Sequence, residues 1–146
     1  EADFTEWCDK LLSIAGLSDF QNAYPHELSG GMLLRGGICR GLIHNPRLLL
    51  MDEPFAALDA MTRERMASEL QSIWMSTGKS VFFITHSIQE AIFLADRIVV
   101  LSERPARVIE IIDVDLPRPR GSQTQSLNEF GRLGAHLRSH FLGDQA

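Results

Sequence analysis

An α/β fold with a mainly parallel sheet is the architecture this sequence predicts. Three observations carry that expectation. Helix-like and strand-like stretches alternate along the chain. Residues 48–51 (LLLM) and 81–85 (VFFIT) are continuous apolar runs, as in strands buried on both faces of a parallel sheet. Asp52, Glu53 and His86 fall at the carboxyl ends of these runs, where such sheets bind their ligands.

The elements follow in order. Residues 3–15 predict a helix, with Phe4, Trp7, Leu11 and Ile14 on one apolar face and Gly16 as its stop. A connector with Pro25 leads to Ser29, which opens a helix of about fourteen residues ending at Asn45-Pro46. Its stripe is Met32, Gly36, Cys39 and Ile43, flanked by Ile38 and Leu42. Gly36, Gly37 and Gly41 each cost ~1 kcal/mol relative to Ala, so packing must hold this helix, or its glycines admit a close neighbour. After the 48–51 strand, Asp59 can cap a helix over 60–76, with Met66, Leu70 and Ile73 inward and Gly78 beyond its end. The second strand, 81–85, is followed by Ser87-Ile88-Gln89-Glu90, a capping box opening a short helix with Ile88, Ala91, Ile92 and Ala95 inward. Residues 97–101 form a third strand, and residues 107–116 alternate as an edge or antiparallel strand. A final amphipathic helix spans 124–141, with Leu127, Phe130, Leu133, Leu137 and Phe141 on its apolar face.

Composition narrows the class. With 146 residues, 45% apolar and 23% charged, the chain is sized for one globular domain. A net charge of -5 argues against a nucleic-acid partner. No apolar run approaches the roughly 20 residues needed to span a bilayer, and the acidic start EADFTEWCDK is no secretory signal. Cys8 and Cys39 lie far apart without a CxxC partner and read as free thiols.

Several positions can carry chemistry. Ser29-Gly30-Gly31 begins a helix whose first turn offers unpaired N–H groups, and the glycines leave room for an oxyanion. Asp52 at a strand end can serve Mg²⁺ beside nucleotide phosphates. The adjacent Glu53 can polarise a water. His86 can contact a phosphate. Each has a plain alternative as a cap, a solvated pair or a structural imidazole. Thr77-Gly78-Lys79-Ser80 ends like a phosphate-binding loop, but Ile73 stands where the first glycine belongs, and a helix precedes it where a strand is needed. His136 and His140, at i and i+4, could share a metal, but the sequence shows no third ligand.

Taken in order, LSGGM, LLLMDEP, ALD and a strand ending in His86 resemble the ATP-binding subunit of ABC transporters, over about residues 1–120. The stretches MDEPFAALDAMTRERM, THSIQEAIFLADRIVVLSERPARV and VDLPRPR resemble the importer branch for nitrate, sulfonate and taurine. The resemblance implies a P-loop NTPase fold of the RecA-like kind. Residues 1–45 would then be helical subdomain and signature helix, 46–120 the part from Walker B to the terminal strands, and 121–146 a helical tail.

It also implies roles for residues. Ser29, Gly30, Gly31 and Met32 match the signature motif and would meet the ATP of a partner subunit; Met32 stands where many relatives have Gln. Asp52 matches the Walker B carboxylate for Mg²⁺, Glu53 the general base and His86 the switch histidine. Ala57 to Asp59 match the D-loop at the dimer interface. LLRGGICRGL departs from the family pattern, which is polar at Leu34 and richer in Ala. No Walker A motif is present, so the resemblance places it N-terminal to Glu1, in a nucleotide-binding domain truncated at its N-terminus. The 146 residues alone are expected to bind ATP poorly and not to hydrolyse it.

The implied protein is an importer ATPase at the cytoplasmic face of the inner membrane. It would work as a homodimer with transmembrane permease subunits and, indirectly, a solute-binding protein. Two alternatives stand beside it: a non-catalytic dimerisation or regulatory module keeping the signature surfaces, and an ABC-type ATPase of DNA repair or translation. The acidic charge and the importer-like region disfavour the latter.

Overall fold

A computed structural model describes residues 2–141. The chain divides into two compact units, residues 1–84 and 85–146.

The first unit holds α1 (Ala2–Ile14), α2 (Gly30–Leu42), β1 (Leu48–Asp52), α3 (Ala60–Thr77) and β2 (Ser80–Ile84). Helix α1 ends where the chain reverses at Gly16, whose φ of +63° suits a residue without Cβ. It packs on α2 through buried Leu11 and Leu42. Polar groups close the same seam: Trp7 Nε1 donates to Leu42 O at 3.2 Å, and Arg35 Nη1 donates to Ala15 O at 2.8 Å. Cys8 and Cys39 are free; burial raises the pKa of the Cys39 thiol, which donates to Leu11 O at 3.6 Å.

The inward residues of α2 are Gly31, Ile38, Cys39 and Leu42. Met32, Gly36 and Ile43 of the expected stripe are only half-buried, so the covered face is rotated toward the expected flank. The glycines explain the rotation. A Cβ on Gly41 would lie 2.8 Å from Leu49 Cδ1, and one on Gly31 3.0 Å from Met66 Sδ. These two positions bring α2 close to β1 and α3. Gly37 faces open space, and nothing in the structure explains it.

Helix α3 begins at Asp59, whose carboxylate accepts from Thr62 N at 3.0 Å, and ends at Gly78 in the left-handed conformation, φ 62°. Met66, Leu70 and Ile73 are buried as the periodicity requires, and Gln71 joins them. The segment 77–80 is a helix-to-strand connection, with Lys79 Nζ bonded to Asn45 Oδ1.

Strands β1 and β2 pair in parallel, Leu48 opposite Ser80 through Asp52 opposite Ile84. The expectation of burial on both faces is not met. Met51 is buried, but Leu50 is 69% and Phe82 56% exposed, and Leu48 and Ile84 share that exposure. Nothing among the described residues covers this apolar face, and a continuous apolar run cannot reveal that only one of its faces is packed.

The second unit holds α4 (Ile88–Leu94), β3 (Arg97–Leu101), β4 (Val108–Asp113), α5 (Ser122–Gln125) and α6 (Asn128–Ser139). Ser87 caps α4 by accepting from Glu90 N at 3.3 Å. The box is extended through Thr85, which accepts from Ser87 N and donates to Glu90 Oε2 at 2.5 Å. Glu90 and Phe93 are buried with Ile92, whereas Ile88 and Ala91 are only half-buried.

Strand β3 pairs with β4, antiparallel, in its own two-stranded sheet. Ile98 and Val100 lie on the covered face opposite Ile112 and Glu110; Val99 and Ile111 share the exposed face. A carboxylate thus occupies the covered side of β4, against the usual alternation. The expected 124–141 helix is two helices. Its break is at Leu127, which is extended and donates its N–H to Thr124 O at 3.1 Å. Phe130, Gly134 and Leu137 are buried in α6, while Leu127 and Phe141 are exposed.

Arg120 holds this unit together. Its side chain is 1% exposed. Nη1 donates to Ile92 O at 2.9 Å and Ala95 O at 2.6 Å; Nη2 donates to Val114 O at 3.2 Å and Leu116 O at 3.1 Å. A planar donor fork thereby ties the C-terminal carbonyls of α4, which have no helical partners, to the strand exit after β4. Burial, reinforced by neighbouring Arg118 and opposed by Asp96, pushes its pKa down to about 10, so it stays charged at neutral pH. Arg118 adds Leu94 O at 2.6 Å and Asp96 Oδ1 at 2.8 Å.

Candidate functional site

Of the residues that the sequence points to for ATP, Ser29, Gly30, Gly31, Met32, Asp52, Glu53 and Asp59 stand in the first unit. Ser29 is the N-cap of α2, extended at φ -67° and ψ 162°, and its Oγ accepts from Met32 N at 3.3 Å. That leaves the Ser29 hydroxyl hydrogen for an outside acceptor. Helix geometry gives the Gly30 and Gly31 N–H groups no intrahelical carbonyl. Ser29 and Gly30 are exposed, Met32 half-buried and Gly31 buried.

The turn that opens α2 lies beside the loop that ends in Asp59. A Cβ on Gly30 would sit 3.8 Å from Leu58 Cδ2, and Gly31 lies against the Met66 thioether of α3. Substitution at Gly31 therefore forces Met66 to move before it affects any ligand.

Asp52 ends β1 and is exposed, and Glu53 follows half-buried. Glu53 has φ 47°, a left-handed conformation that non-glycine residues seldom adopt. Two backbone bonds hold it there: Glu53 N donates to Ile84 O at 2.9 Å, and Glu53 O accepts from Ala56 N at 3.1 Å. Phe55, 1% exposed, anchors the loop with its ring 5.6 Å from that of Phe83. Sequence reasoning missed Phe55. Its signal was a large apolar residue inside a turn, where solvent exposure is the rule.

The strand end therefore presents Asp52 outward while the left-handed Glu53 breaks the strand's alternation. Both offer only oxygen donors, which fits a hard divalent cation such as Mg²⁺. His86 belongs to the second unit, exposed, directly before the cap Ser87.

Residues 1–56 match the ABC transporter family model. An uncharacterised ABC transporter ATP-binding protein of Methanocaldococcus jannaschii is 52% identical over 125 residues, covering 86% of this chain and 47% of that protein. The taurine import ATP-binding protein TauB of Rhizobium johnstonii is 56% identical over 109 residues, 75% of this chain and 42% of its own. The aliphatic sulfonates import ATP-binding protein SsuB of Bacillus cereus is 42% identical over 125 residues, 86% of this chain and 48% of its own. Among solved structures, the ADP conformation of an ATP-binding cassette of an ABC transporter superposes with a TM-score of 0.58 at 25% identity, covering 68% of this chain and 39% of that one.

The chain is related, over most of its length, to the ATP-binding subunits of ABC transporters, and its fold is that of their α/β cassette. Its similarity extends to proteins named for taurine and aliphatic sulfonate import. The chain spans about half the length of these curated relatives.

Proposed function

We propose that this chain is part of the ATP-binding and ATP-hydrolysing subunit of an ABC importer for small solutes such as taurine, sulfonates or nitrate. The observation that carries the proposal is Glu53. A carboxylate directly after a strand-end aspartate is held at φ 47° by backbone bonds on both its sides. Such strain persists where the surroundings enforce it and clusters at functional sites.

In this reading Glu53 accepts the proton of the attacking water, and Asp52 holds Mg²⁺ directly or through water. Mg²⁺, when bound, neutralises charge developing on the phosphate oxygens. Ser29 donates its hydroxyl hydrogen, and Gly30 and Gly31 offer backbone N–H groups, to the phosphates of ATP held by the second subunit of a homodimer. Asp59 lines the interface between subunits while capping α3, and His86 contacts the γ-phosphate. Residues 1–45 serve as helical subdomain and signature helix, 46–120 as the part from Walker B to the terminal strands, and 121–146 as a helical tail. The subunit sits peripherally on the cytoplasmic face of the membrane against permease subunits, which a solute-binding protein serves.

The test compares two proteins. The full-length protein carrying this sequence should hydrolyse Mg²⁺-ATP. The 146-residue chain, which contains no GxxxxGK[ST] loop, should bind ATP poorly and not turn it over, because that loop and its Lys cradle the β- and γ-phosphates. Steady turnover by the isolated chain, or none by the full-length protein, would count against this reading.

A further inference from the structure

The pair His136 and His140 acquires a third partner in the folded chain. His136 lies in the last turn of α6, and His140, one turn on, is its C-cap. Glu110 reaches them from β4, on the side of the sheet where Ile98 and Val100 are buried. His136 Nε2 lies 3.1 and 2.9 Å from the two Glu110 oxygens, and His140 Nε2 lies 2.6 Å from Oε2. One ligand atom from each residue falls within 4.8 Å of the others. The imidazole rings meet edge to face at 5.2 Å, so both Nε2 atoms point at the carboxylate without stacking.

We propose that Glu110, His136 and His140 form a binding site for a divalent transition-metal ion, with Zn²⁺ the best match. Two imidazole nitrogens and one carboxylate oxygen are a borderline donor set that suits Zn²⁺ over Mg²⁺ or Ca²⁺, which prefer oxygen alone. Tetrahedral Zn²⁺ at about 2.0–2.2 Å from each ligand spaces neighbouring ligand atoms about 3.4 Å apart. The nitrogen-to-oxygen separations of 2.6–3.1 Å would widen by about 0.3–0.8 Å to reach that spacing. Side-chain exposures of 51% for His136, 21% for His140 and 35% for Glu110 leave a fourth position open to water or an outside donor. The site joins a strand of this unit to its last helix, so the ion would clamp α6 onto β4. It involves none of the residues assigned to ATP, and it stands or falls separately from that assignment.

The experiment titrates the metal-stripped 146-residue chain with Zn²⁺ against a chromophoric chelator at neutral pH, and repeats it with Co²⁺ in the visible range. One equivalent of Zn²⁺ should bind, and Co²⁺ should give d–d absorption of a four-coordinate site. Glu110→Gln, His136→Gln and His140→Gln should each weaken binding by at least about tenfold, since loss of even an outer-shell partner costs about 10–100-fold. His44→Gln, at an exposed position outside this unit, should change nothing. Far-UV circular dichroism checks that each variant is folded. If the parent chain binds no Zn²⁺, or a folded Glu110→Gln variant binds as tightly as the parent, the three residues are a hydrogen-bonded cluster and the proposal fails. The parent titration decides the matter even if a variant does not fold.

Discussion

Replacing Glu53 by Gln in the full-length protein is expected to lower ATP turnover by about 10²–10⁴-fold while leaving nucleotide binding intact. That range is the usual worth of a positioned general base. The amide keeps the size of the carboxylate and needs no change in the backbone bonds to Ile84 and Ala56 that hold the residue. It can orient a water but cannot take its proton. Turnover within a few-fold of the parent, about 1 kcal/mol or less in barrier, would show that Glu53 is not the base. Asp52→Asn serves as the contrast: in the proposed reading it should raise the Mg²⁺ concentration needed for half-maximal turnover, because the lost carboxylate would hold the cation rather than the water.

The largest expected loss of stability is at Arg120. Arg120→Met keeps the apolar stem but removes every donor from the carbonyls of Ile92, Ala95, Val114 and Leu116. A buried acceptor left unsatisfied costs about 1–3 kcal/mol, so losing even two implies roughly 2–6 kcal/mol, against a total stability of about 5–15 kcal/mol for a typical domain. The second unit should therefore unfold at least in part under conditions where the parent is folded. Thermal melts by circular dichroism check this, with Arg132→Met as the control. Arg132 is 81% exposed and, among the described residues, pairs with Glu129 one turn away, so its loss should be within about 0.5 kcal/mol. Equal melting temperatures for the two variants would refute the role given to Arg120.

These two residues differ in how far the sequence exposes them. The place of Glu53 was legible because it is written locally: a carboxylate beside another, at the end of an apolar run. Asp59, Gly78 and Ser87 were legible for the same reason, since a cap is written within four residues of the helix it serves. Arg120 was not. Its partners lie up to 28 residues away in sequence, and an arginine among prolines reads as solvent-exposed. Glu110 was hidden too, because alternation along residues 107–116 assigns polar side chains outward, whereas the histidines of α6 draw this one to the covered face. The strands show the same limit. Apolar content located β1, β2 and β3, but not that β3 pairs with β4 in a separate antiparallel sheet, nor that one face of β1 and β2 is open. The glycines of α2 told that something approaches closely; only folding shows that Leu49 and Met66 do so.

In the proposed function, residues 28–59 contain parts of two different ATP sites, the turn at Ser29–Gly31 serving the partner subunit and the strand-end carboxylates serving their own. Mixing two inactive full-length variants tests this most directly. Ser29→Arg blocks the signature turn, and Glu53→Gln removes the base. If the halves act across the dimer, a dimer with one copy of each variant holds one site with both defects and one site with neither. ATPase activity should then reappear on mixing, to about a quarter of the parent level if half the dimers are mixed and sites act independently. If both sets of residues serve one site within a single subunit, every site in every dimer is defective, and the mixture will stay as inactive as either variant alone.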